Sequence, residues 1–88
     1  MNAQQNGKTI QGLIDENLQL AQHVYETKDS IVINVRYEYV IEKFRIDTAE
    51  KIIRWAVHLS EKNWMTKKIL SHFLLVACRA AGIEPFGV

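Results

Sequence analysis

Residues 30–46, SIVINVRYEYVIEKFRI, decide the fold. Ile31, Ile33, Val35, Tyr37, Tyr39 and Ile41 alternate with positions that include Asn34, Arg36, Glu38 and Glu42. A period of two carried by β-branched and aromatic residues describes a strand with one buried face, Val32 and Val40 standing on the wetter side. The open question is what this strand pairs with. From Ser30 to Ile46 there is no glycine, no proline and a single Asn34, so the usual chemistry of a tight hairpin is missing. After Glu42 and Lys43 the alternation slips phase, and Phe44 and Ile46 become the apolar positions. Either a bulge or tight turn at residues 42–43 begins a short second strand, or one long strand pairs with the same strand of a second copy. The latter makes a homodimer part of the fold, because an unpaired strand is not stable in water. Tyr37, Val40, Ile41 and Phe44 also fit the i, i+3, i+4, i+7 spacing of a helix, which is the third reading of the same residues.

The flanking segments read as helices. Upstream, Ile10, Leu13, Ile14, Leu18, Leu20, Ala21, Val24 and Tyr25 fall within about 160° of arc at helical spacing, opposite Asp15, Glu16, Gln19, Gln22 and Glu26. This predicts an amphipathic helix over 9–27, with Asn17 a polar amide in its apolar arc and residues 1–8 a polar tail. Downstream, Asp47 is placed as an N-cap with Glu50 in the capping-box position. Ala49, Ile52, Ile53, Ala56, Val57 and Leu59 form the apolar arc of that second helix, with Trp55 at its boundary. Asn63 reads as the next N-cap, before a third helix over 64–81 that Gly82 stops and Pro85 follows. The apolar arc of this third helix, Val76, Ile69, Ala80, Phe73, Ala77, Leu70, Ala81, Leu74 and Cys78, covers about 200°, wider than one packing face needs, so it should be central. Its remaining stripe is Lys68, His72, Leu75 and Arg79.

Composition narrows the function classes. The chain has 88 residues, 48% hydrophobic and 24% charged, which suits one folded domain over 9–88. No apolar run is long enough for a membrane span, and the polar start does not resemble a signal peptide, so a cytoplasmic setting is expected. A lone Cys78 makes no internal disulfide and reads as a small buried hydrophobe. His23, His58 and His72 are read on wet helix faces, with no ligand spacing for a metal and no glycine-rich loop for a cofactor. No nucleophile stands beside a base, so no catalytic residue is assigned and no enzyme is expected. A net charge of +1 is no general polyanion footprint.

The order strand, helix, helix from Phe44 to Ala81 resembles ribbon-helix-helix repressors. That resemblance implies a dimeric ribbon in the DNA major groove. Lys43 and Arg45 would then face bases between inward Phe44 and Ile46, with Arg36 and Lys67 as further contacts and residues 63–67 meeting phosphate. The resemblance covers under half the chain; the helix from Asp47 is about a turn longer than that pattern has, and a helix and a long strand precede the ribbon. The favoured expectation is an α+β homodimer, in the order helix, strand, helix, helix, that serves as a non-catalytic protein-interaction module of accessory, adaptor or inhibitor type. Its contact residues would be Asn17, Trp64, His72, Leu75 and Arg79, and its partners itself and another protein. A DNA-binding regulator and a small-ligand binder using Tyr37, Tyr39 and Trp55 are the alternatives.

Overall fold

A computed structural model describes Gly12, Ile14, Leu20 and residues 22–84. Three short strands follow one another, β1 (Val24–Glu26), β2 (Ser30–Asn34) and β3 (Glu38–Glu42). They form one antiparallel sheet in the order β1-β2-β3. Val24 lies opposite Ile33 and Glu26 opposite Ile31, while Ile31 faces Ile41 and Ile33 faces Tyr39. β2 therefore finds both of its neighbours within its own chain, and the strand argument for a second copy falls.

The long strand read from the sequence is folded back on itself at Val35, Arg36 and Tyr37. No non-glycine residue among those described has a positive φ, so this turn uses none of the left-handed backbone that makes Asn-Gly hairpins recognisable. Tyr37, read as inward, sits in the turn 68% exposed. Val32, read as outward, is buried at the centre of the sheet's other face, between its cross-strand neighbours Tyr25 and Val40. The alternation was real, but its length spanned two strands and a turn.

The upstream helix does not reach residue 27. Gly12 and Ile14 are helical and Leu20 and Gln22 are in 3-10 conformation, but Val24–Glu26 is β1. Val24 and Tyr25 fit the helical arc, yet pairing with Ile33 and Val32 draws them into the sheet. Asn17 and residues 1–8 lie outside the described residues.

At the predicted phase slip the chain makes a 3-10 turn, Lys43–Ile46, that buries Ile46 and leaves Phe44 outside. The segment is neither a bulged strand nor the ribbon of a ribbon-helix-helix dimer. Helix α1 (Ala49–Ser60) follows, capped by Thr48, whose Oγ1 accepts from the Lys51 N–H at 3.2 Å. Asp47 lies one residue outside that cap and pairs instead with the Lys51 ammonium. Helix α2 (Lys67–Ala81) is capped by Thr66 rather than Asn63, so Trp64 precedes it. Gly82 ends it in the left-handed conformation at φ 72°, and the Ile83 N–H donates to the Cys78 carbonyl at 2.9 Å.

The core lies between one sheet face and the two helices, where Val24, Ile31, Ile33, Ile41, Ile46, Ile52, Leu59, Phe73, Val76 and Ala77 are buried together. α2 packs against α1, the 3-10 turn, β1 and β2, the central position its wide arc demanded. α1 is turned slightly from its predicted face. Ile52 and Leu59 are buried with Trp55 packed beside them, while Ile53 and Val57 stay 60% and 58% exposed.

Candidate functional site

Three aromatic rings gather where β3, α1 and the segment before α2 meet. Trp55 of α1 meets Tyr39 of β3 edge-on, 83° between planes and 6.1 Å between centroids. Trp64 leans on the same tyrosine at 6.5 Å, and His58 stands edge-on to Trp55 at 5.5 Å. The Tyr39 hydroxyl is hydrogen-bonded with His58 Nε2 at 3.2 Å, and the Lys62 ammonium lies 5.9 Å from the Tyr39 ring centroid. Offset and edge-to-face rings of this kind add cohesion beyond the area they bury. The cluster is therefore a rigid base for what lies above it.

Beside it opens a cleft of about 470 Å³ lined by Phe44, Arg45, Lys51, Arg54 and Trp55. A second hollow of about 260 Å³ continues along α1 and shares Arg54 and Trp55 with it, ending at His58. The 3-10 turn presents Phe44, 65% exposed, as one wall. Arg45 stacks its guanidinium over the Phe44 ring at 5.5 Å and pairs with Glu42 at 2.9 Å. Lys51 donates to the Phe44 carbonyl at 3.2 Å and to Asp47 at 3.0 Å, which pins the turn to the first turn of α1. Arg54 pairs with Glu50 one helical turn back.

A third hollow, about 350 Å³, runs along α2 between Leu20, Lys67, Lys68, Ser71, His72 and Leu75. His72 was expected on a wet stripe but is 2% exposed, and neither ring nitrogen has a hydrogen-bond partner among the described residues. Burial, reinforced by the Arg79 charge, pushes its pKa below the ordinary histidine value. Cys78 is buried as expected, and burial, helped by Glu84, raises its thiol pKa, the reverse of what a nucleophile needs. Among the described residues no group of His, Cys, Asp and Glu comes together to hold a metal ion. No helix among them is long and apolar enough to cross a membrane.

Of the residues expected to share one protein contact, His72 and Leu75 line the same hollow, while Trp64 and Arg79 lie elsewhere. Trp64 joins the aromatic cluster, His72 is interior, Leu75 is half-buried, and Arg79 reaches Glu26 of β1 at 3.2 Å. The DNA set is scattered too. Arg36 is in the hairpin turn, Lys43 is paired with Glu26 at 2.6 Å, Arg45 with Glu42, and Lys67 begins α2. Lys43 and Arg79 together hold Glu26 below the usual carboxylate range, the Lys43 hydrogen bond being the larger cause. Of the ligand-binding alternative, Tyr39 and Trp55 do meet, while Tyr37 is away in the turn. Phe44, Arg54 and Lys51 were not singled out by sequence. The available signal was the phase slip at Phe44, which marked an apolar residue outside the strand's alternation. The chain matches no family model, no curated protein and no solved structure among those compared.

Proposed function

We propose that this chain is a non-catalytic protein-interaction module whose contact surface is the cleft between the 3-10 turn and α1. The observation that carries the reading is Phe44: a large aromatic side chain held 65% exposed, with Arg45 stacked on it, beside half-buried Trp55. Aromatic and arginine side chains on a preorganised base are the usual anchors of protein interfaces, because they add contact area at little cost in side-chain entropy. Both pieces are fixed before binding, Trp55 by the Tyr39 ring and the turn by the Lys51 hydrogen bonds. A second copy is not required by the sheet, so self-association does not enter the proposal.

The DNA-binding alternative has less support. Its four basic residues are spread over the hairpin turn, the 3-10 turn and α2, and two of the four are engaged by carboxylates. Selection from a random displayed peptide library tests the proposal, run in parallel on the whole chain and on its Phe44→Ala/Arg54→Glu variant. Both substitutions fall on exposed side chains and should leave the fold intact. Peptides retained by the wild type and lost by the variant support the proposal; no difference between the two overturns it.

A further inference from the structure

We infer that the partner of this cleft is a short acidic peptide segment that lays one aromatic or aliphatic side chain between Phe44 and Trp55. The inference rests on the cleft being the contact surface and adds the chemistry of what it takes. Among the described residues its lining contains three cations, Arg45, Lys51 and Arg54, and no acid. The carboxylates that pair with them, Glu42, Asp47 and Glu50, stand outside the lining and are themselves exposed.

Exposed ion pairs are weak and readily exchanged, because water screens them and two long side chains must be ordered to hold each. A partner's carboxylates can therefore take over contacts that Glu42, Asp47 and Glu50 now make. The cations have donors to spare: an ammonium carries three N–H groups and a guanidinium five, more than the pairs here use. Between them Phe44 and Trp55 supply apolar walls for one inserted side chain. The volume, about 470 Å³, is enough for a side chain with its flanking peptide units.

A phosphate backbone would also meet three cations, but it draws its affinity from a net basic surface that displaces many counterions. Here each lining cation is matched by a nearby acid and the whole chain carries +1. A short segment with a few carboxylates needs only local exchange.

The test begins with the composition of peptides selected by the wild-type chain and lost on the Phe44→Ala/Arg54→Glu variant. The expected consensus is an aromatic or leucine residue flanked by Asp and Glu. A selected peptide, added to isotopically labelled protein, should shift the amide signals of Phe44, Arg45, Lys51 and Arg54 and the Trp55 indole. Phe44→Ala and Arg54→Glu should each weaken its binding by about tenfold. Raising salt should weaken it further. Cleft-dependent peptides that are neutral or basic would overturn the inference while leaving the interaction module standing. An oligothymidylate strand that binds the same residues more tightly than any selected peptide would also overturn it, in favour of nucleic acid. Absence of any cleft-dependent peptide would sink both readings.

Discussion

The Tyr39 hydroxyl and His58 Nε2, 3.2 Å apart, tie the last strand of the sheet to the last turn of α1. The same two residues flank Trp55, which meets Tyr39 edge-on at 6.1 Å and His58 at 5.5 Å. The tyrosine thus serves the site twice, through its ring and through its oxygen. The two contributions separate by mutation. Tyr39→Phe removes a hydrogen bond that water can partly replace, and should cost about 0.5 to 1 kcal/mol in urea unfolding. A double-mutant cycle of Tyr39→Ala with Trp55→Ala should return a coupling of about 0.5 to 1.5 kcal/mol for the rings. Zero coupling would mean the rings merely sit side by side, and the preorganised base of the cleft would lose its support.

Phe73 is fully buried where α2 meets the sheet and α1. Phe73→Ala should cost about 3 to 5 kcal/mol, transfer and cavity together, against a total stability of roughly 5 to 15 kcal/mol for a domain. The urea midpoint should fall accordingly, with much of the variant unfolded at 37 °C. A midpoint close to wild type would show that α2 is not the central element.

These two residues differ in how readily sequence exposes them. Phe73 lies at the middle of a long helical arc, where the burial of one residue is supported by Ile69, Val76 and Ala77 on the same face. Gly82 was equally legible, since a glycine after the last periodic residue has one common use. The hairpin was not, because Val35, Arg36 and Tyr37 turn the chain without any positive φ, so no glycine or asparagine is called for there. β1 was hidden for a different reason: Val24 and Tyr25 satisfy a helical arc locally, and only their pairing with Ile33 and Val32 decides otherwise. The candidate site fell in the gap between these two failures. Phe44 was assigned inward on a strand that ends at Glu42, and Ile53 was assigned to a core that α1 meets through Ile52 and Leu59 instead. Trp55, at the edge of the predicted arc, was the site residue that periodicity located correctly.

Gly82 holds φ at 72° with open space where a Cβ would stand. A side chain there meets no neighbour among the described residues, so the cost of substitution is set by the left-handed backbone. Gly82→Ala should therefore destabilise by about 1 to 2 kcal/mol, and Gly82→Asn by less, because asparagine tolerates this conformation better. Thermal unfolding of the three proteins gives the order Gly, Asn, Ala. If alanine matched glycine, the end of α2 would not require the left-handed residue at all.

His72 sets the acid limit of the fold. Its ring is 2% exposed, neither nitrogen is partnered among the described residues, and its pKa is lowered from 6.5, first by burial and then by the Arg79 charge. Lys68 lies one turn before it and Arg79 two turns after it on its own helix, both exposed, and Glu26 across on β1 is already engaged by Arg79, so an incoming charge would be poorly compensated. With the folded pKa below the unfolded one, the unfolded chain takes up the proton first as the solution is acidified. The contribution to stability is therefore complete above about pH 6.5 and declines as pH falls below it, until the folded state can also be protonated. Glu26 acts in the same direction but in a lower window, since its pKa is depressed from 4.5. His72→Leu puts an apolar side chain of similar bulk in its place and removes the two orphaned nitrogens. It should unfold at higher urea than wild type at neutral pH, by about 1 kcal/mol or more, and its midpoint should stay level from pH 7 to pH 5 while the wild-type midpoint drops. A wild-type midpoint that is flat across that interval, or a His72→Leu variant that follows the same decline, would locate the acid sensitivity elsewhere in the molecule.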